Sequence, residues 1–358
     1  GTAFKTTGSV KDMLASNFFF YRGEEGSEKL VEDEAELSAS SLGNNERFTV
    51  LMGQHGQVVA SVTTDDGTMK NFTMGDGLTA EQALAEAMDY ADSIGKSTLT
   101  LQRSVDITRP LQVYGNDTVL TLEMAGSSVL TMQNAADGVI QVLNGELVLD
   151  VGVIRAGGKN AVGVKMSGDS RVRVTGCEID AGSASGSVAV SVADDAHLEL
   201  TGGELLGETG VRLESSELAC TLTISDLAYV NGSAYGVNAA GGSISFTGGL
   251  VSSGGRGIYL NSLYSVSLTM SSGATVLAKG RGDAVGVEVS SGAEAVIGGG
   301  ASIEASSTGG RAYGVSQASG KLTVTGSASV SAASGSGQAC GAFLTGGEAA
   351  ISGGSFEG

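Results

Sequence analysis

Along most of this chain, short runs of alternating apolar and polar residues are separated by glycine, serine, asparagine and aspartate. Val188, Val190 and Val192 keep a period of two, and so do Val285, Val287 and Val289. That period puts one set of side chains on a single face of a strand, and helical spacing is absent. Each run lasts about four to six residues and closes on residues that permit tight corners.

The runs also recur. Ala161-Val162-Gly163-Val164 leads to Val172-Arg173-Val174-Thr175-Gly176, and Ala234-Tyr235-Gly236-Val237 leads to Ile244-Ser245-Phe246-Thr247-Gly248. Ala284-Val285-Gly286-Val287 and Ala312-Tyr313-Gly314-Val315 repeat the phrase further on. Its starts, near 138, 163, 188, 210, 236, 257, 286, 314 and 341, lie about 25 residues apart. Self-similarity at that period marks a solenoid. The leucine-rich phrase is missing, and 57 glycines exclude a stack of long helices. A parallel β-helix remains, with two or three short strands per coil stacked about 4.8 Å apart. Its first inward column is expected to be Val164, Val190, Val211, Val237, Ile258, Val287 and Val315.

One segment breaks the period. From Thr79 to Ile94, Leu84, Ala87, Met88, Ala91 and Ile94 fall on one helical stripe. Thr79 with Gln82 forms a capping box, and Gly95 ends the helix. Leading straight into Leu99-Thr100-Leu101, this helix is expected to cover the open end of the solenoid. Upstream, Arg47–Met52, Gln57–Val62 and Thr68–Met74 are predicted strands of a small antiparallel module. The aromatic run Phe18-Phe19-Phe20-Tyr21 is predicted as a strand or docking plug, and the acidic run from Glu24 to Glu36 as solvated. Two divisions are expected: a β-rich module over 1–78, and a β-helix over 79–358 with its capping helix at 79–94.

A formal net charge of −19 makes nucleic acid and anionic membranes poor partners. No apolar run is long enough for a membrane-spanning helix. Cys177, Cys220 and Cys340 fall at different phases of the repeat and are expected to be small buried fillers rather than a disulfide. His55 and His197 show no ligand spacing, so neither a metal nor another cofactor is expected. With Gly1 first and no signal peptide in the sequence, a removed signal is expected. Further coils or a cap are expected beyond Gly358.

The helix Thr79–Ile94 running into Leu99-Thr100-Leu101, followed by Gly-Val and Thr-Gly-Gly phrases, resembles the pectin-lyase-like right-handed parallel β-helix superfamily. Phrases such as Ile351-Ser352-Gly353-Gly354-Ser355-Phe356 are similar to those of Gly/Ser-rich surface proteins of Gram-positive bacteria. The resemblance covers about residues 79–358 and implies a right-handed, single-stranded, all-β solenoid. That superfamily includes polysaccharide lyases, glycoside hydrolases, tailspikes and adhesins. The Gly-His-Gly of its hydrolases is missing here, and the coils are short where its lyases carry a long-looped groove.

Three places could carry chemistry. Asp194-Asp195-Ala196-His197 sets a histidine beside paired carboxylates, which could act as acid and base on a glycosidic bond. It lies between two strands, where a solvated turn is the natural reading. Arg281-Gly282-Asp283 is the tripeptide of integrin ligands, at a turn of ordinary charged chemistry. Third, if the valine column points inward, its neighbours Lys165, Ser191, Arg212, Asn238, Tyr259, Glu288 and Ser316 point outward together. The resemblance implies that such a face often carries the groove. Lys165, Arg212, Asn238, Tyr259 and Glu288 are therefore the expected ligand-binding residues. Thr100, Thr223 and Thr323 are too sparse for an ice-binding array.

Together these features predict a secreted or cell-surface bacterial protein, a non-catalytic adhesin, stalk or glycan-binding surface. Its expected partner is a glycan or a host surface protein, with end-to-end self-association at the C-terminal edge. The alternative is a polysaccharide lyase or glycoside hydrolase, or an inactive relative.

Overall fold

The computed structural model describes residues 18–23, 29–30, 47–52, 57–75, 78–214, 220–261 and 265–358. It is a parallel β-solenoid of about ten turns. Each coil has three sides. The first side begins with Lys96–Leu101 and continues through Val119–Met124, Gly145–Val151 and Ser170–Val174 to Glu348–Ile351. The second runs from Val105–Ile107 through Val129–Met132 and Val153–Ala156 to Ser355–Glu357. The third runs from Leu111–Val113 through Val162–Met166 and Val188–Val192 to Ala339–Leu344. Within every side, successive strands pair in parallel.

Alternation decides what fills the middle. On the third side Val164, Val190, Val211, Val237, Ile258, Val287 and Val315 pair in register and are fully buried. Each such side chain contributes about 1.5–3 kcal/mol relative to exposure. The glycine before the valine has a steric origin. A Cβ at Gly286 would lie 2.3 Å from Ile303 Cγ2 on the second side, and one at Gly257 would lie 2.2 Å from Val276 Cγ1. In these coils the second and third sides approach closely at this point, whereas the same register takes a buried Ala189 beside Val190.

The helix spans Ala80–Ile94, with Thr79 at its N-cap and the capping box to Gln82 formed in both directions. Leu84, Ala87, Met88 and Ala91 are buried in the solenoid core, and Ile94 packs partly buried against it. Asp92 lies on the same stripe yet is buried. Its carboxylate accepts from the Gly115 amide at 3.0 Å and from Thr118 Oγ1 at 2.9 Å, which ties the helix to the first coil. At the other end of the helix, Glu81 accepts from the amides of Thr108 and Arg109. Partial burial opposes its charge, but these hydrogen bonds hold its carboxyl below the ordinary value.

The predicted upstream strands group differently from expectation. Arg47–Met52 pairs with Phe18–Gly23, which also pairs with Lys29–Leu30, in a small antiparallel sheet. Gln57–Thr64 and Met69–Met74 form a hairpin that joins the solenoid, because Gln57–Thr64 pairs antiparallel with Lys96–Leu101. The edge of the first coil would otherwise carry unpaired amides and carbonyls, and this hairpin satisfies them. Val59, Ala60 and Val62 complete the core there. A boundary at 78 therefore separates in sequence what the hydrogen bonds join. The turn at 53–56 and most of the acidic run lie outside the described residues.

Candidate functional site

The outward column is assembled as one register on the third side: Lys165, Ser191, Arg212, Asn238, Tyr259, Glu288 and Ser316 succeed one another coil by coil. Its members do not form one cluster. Lys165 is exposed and stands four coils from Tyr259, roughly 19 Å at 4.8 Å per coil. Arg212 Nη1 lies 3.8 Å from Glu214, which also accepts from Ser191 Oγ at 3.1 Å. Asn238 pairs in register with Tyr259 and carries an amide on the same face.

Tyr259 and Glu288 are drawn together by a residue outside the expected set, Arg256. Its Nε donates to Glu288 Oε2. Its guanidinium carbon lies 5.2 Å from the Tyr259 ring centroid and 5.7 Å from that of Tyr235. The two rings stack with centroids 5.8 Å apart and planes 25° apart. Burial and the nearby Glu288 carboxylate push the Tyr259 phenol above its ordinary value. For Arg256 burial works most strongly against the charge, but the hydrogen bond and charge of Glu288, with Tyr235 and Tyr259, together raise its pKa.

Tyr235 and Arg256 escaped the sequence reading because strict alternation from Val237 would turn Tyr235 inward. Gly236 breaks that alternation. It is buried beside Val237, with its missing Cβ aimed at Val251 Cγ1, and Tyr235 emerges on the outer face. Two consecutive inward positions also occur at Ala189 and Val190, so the break belongs to this register rather than to glycine alone.

Asp194, Asp195 and His197 are placed as turn and strand residues. Asp194 has a positive φ of 56°, and its Oδ2 accepts from the Gly168 amide of the preceding coil at 3.2 Å. Asp195 is exposed. His197 Nδ1 lies 2.6 Å from Thr221 Oγ1 on the following coil. Asp194 thus ties a corner to the preceding coil and His197 a strand to the following one. In the tripeptide 281–283, Asp283 is held by Arg311 through the backbone amide at 2.9 Å and Nη2 at 2.5 Å. The cysteines are free thiols, and burial pushes Cys177 up to about 12 and Cys220 up to about 11.

No family model, curated protein or solved structure matches this chain. The fold and the cluster around Arg256 are what any reading of its role must use. Among the described residues, no helix is long and apolar enough to cross a membrane.

Proposed function

We propose that this chain is a non-catalytic, glycan-binding β-helix of the pectin-lyase-like kind, displayed outside a bacterial cell or at its surface as an adhesin or stalk. The observation that carries the reading is the stacked pair Tyr235–Tyr259 with Arg256 and Glu288 in the middle of a polar outward column. Tyrosine rings offer flat faces to the C–H groups of a sugar, while Asn238 and the ion pair offer hydrogen bonds around them. Two members of the carboxylate–histidine string, Asp194 and His197, are engaged in corner and strand contacts, which favours binding without cleavage.

A glycan array with the purified chain, run beside a reducing-sugar release assay, tests this. Binding without release is expected, with Tyr259→Ala and Tyr235→Ala each weakening it. Release of reducing ends that persists in both tyrosine variants would sink the reading.

A further inference from the structure

The corner between the second and third sides changes length along the solenoid. Eleven steps separate Ile179 from Val190, but only six separate Leu205 from Val211. Val230 to Val237 and Val251 to Ile258 take seven steps, and Val276 to Val287 returns to eleven. In the first two shortened coils no loop forms: Glu204–Leu213 and Tyr229–Ala239 run round the corner as single strands. The longer corners at 181–187 and 280–283 stand on either side. Between them lies an open trough three coils wide, roughly 14 Å at 4.8 Å per coil. Its volume of about 530 Å³ falls within the ~300–1,000 Å³ range of small-molecule sites.

The floor mixes apolar and polar groups, and Leu206 precedes Asn231 and Ser252 in one register. Asn231 and Ser252 occupy its outward register, with Gly207 and Gly232 beside them. The two charged residues of the lining are both engaged within the protein. Asp180 Oδ1 accepts from the Gly182 amide at 2.8 Å, and Lys279 Nζ lies 3.3 Å from Glu304 Oε1. Ser233 and Gly254 each precede by two residues a member of the ring cluster, Tyr235 and Arg256. The trough thus ends two residues along the chain from each of these members of the ring cluster.

We propose that this trough takes a neutral polyhydroxylated chain, an oligosaccharide without carboxylates or sulfates, with one end turned onto Tyr235 and Tyr259. The inference rests on the glycan-binding reading above and names its site and ligand class. Leu206 and the glycines give apolar contact that suits the C–H faces of a sugar, while Asn231 and the serines of the lining supply the hydrogen bonds that a purely aliphatic ligand would leave unused. An acidic glycan would have to displace Glu288 from Arg256 or Glu304 from Lys279, on a chain of net charge −19. A neutral glycan needs neither displacement, and each hydroxyl can meet an amide, a serine hydroxyl or exposed backbone.

Calorimetric titration of the full chain provides the test, with cellohexaose, xylohexaose and mannohexaose as neutral probes and hexagalacturonate as the acidic one. Asn231→Trp and Ser252→Trp fill the trough from outward positions. Asn231→Asp and Ser252→Asp add charge without bulk, should tryptophan lower the unfolding temperature. The expected result is binding of at least one neutral hexasaccharide and none of hexagalacturonate. Trough variants with unchanged unfolding temperature should lose affinity by about tenfold or more. Neutral binding that Tyr259→Ala weakens, but no trough variant alters, would overturn the trough and leave the glycan reading standing. Binding of hexagalacturonate alone would overturn the neutral class. Absence of binding by all four probes at millimolar concentration would overturn both.

Discussion

Between residues 204 and 260 the solenoid turns its variable corner almost without a loop, whereas between 275 and 344 the same corner carries a lobe with a small core of its own. In that lobe Ala278, Ala305 and Ala332 stack in one register, and Ala284, Ala312 and Ala339 in another. These alanines form a cluster separate from the main core. Serines tie the lobe together from coil to coil. Ser307 Oγ donates to the Gly282 carbonyl and accepts from the Gly310 amide, both at 2.7 Å. Ser334 repeats this with the Gly310 carbonyl and the Gly337 amide. Beneath both regions the inward column is the same, with Val237, Ile258, Val287 and Val315 fully buried. The core sets the register, and this corner is free to lengthen because each added loop residue costs little closure entropy. Where it does not lengthen, a trough appears.

A shared core predicts that the largest effects do not distinguish the two regions. Val237→Asp in a short-cornered coil and Val287→Asp in a long-cornered one each bury a carboxylate without a partner, for a loss of about 4 kcal/mol or more. Chemical denaturation should find both severe. A mild Val287→Asp beside a severe Val237→Asp would mean that the lobe relieves the core, and the two would no longer be separable. Next in size is the glycine that precedes the valine. Gly257→Ala and Gly286→Ala should each cost about 1–3 kcal/mol by overpacking, since the new methyl meets Val276 Cγ1 or Ile303 Cγ2. Val276→Ala combined with Gly257→Ala should cost less than the two single changes added together. Strict additivity would show that steric contact across the core is not the reason for the glycine.

Much of this was legible in the sequence for the same reason that the core is uniform. Period-two valines, the Thr79–Gln82 box and the apolar helical stripe are local signals, and each appears in the structure at the residues that carried it. What was not legible depends on partners distant in sequence. Arg47–Met52 and Gln57–Thr64 are neighbours along the chain yet join different sheets, because the second is claimed by Lys96–Leu101. Asp92 reads as a flaw in an apolar stripe until Gly115 and Thr118 are brought to it. The outward column could be named from alternation, but the cluster within it could not. Tyr235 and Arg256 reach the outer face only through the break at Gly236 and its counterpart Gly257. The trough is hidden by the mean spacing of about 25 residues, since averaging conceals which corner of the coil is short.

A smaller effect separates the two regions. Ser307→Ala removes both the donor to Gly282 and the acceptor for Gly310, in a corner that the central coils lack. A loss of about 1–1.5 kcal/mol is expected. Amide exchange should quicken at Gly310 and its neighbours, while residues 229–260 keep their protection. Faster exchange spread evenly through both regions would show that the lobe is not an independent unit.

The smallest effect lies at the rim of the lobe, where Asp283 faces Arg311. The side-chain hydrogen bond from Arg311 and then its backbone amide lower the Asp283 carboxyl below the ordinary value of 3.8. A carboxyl with a depressed folded value adds stability that is present above the unfolded value and lost as pH falls through the folded one. The pair is largely open to solvent, which screens it, so it ranks below every change above. In Arg311→Gln the carboxyl should titrate higher, back toward 3.8, as followed by its carbon chemical shift against pH. The small difference in unfolding temperature between this variant and the parent should hold from neutral pH to about pH 5 and close below about pH 4. An Asp283 that titrates at its ordinary value in the parent, unmoved by Arg311→Gln, would show that the rim contact does not persist in solution. The aspartate of the tripeptide 281–283 would then be free for another partner.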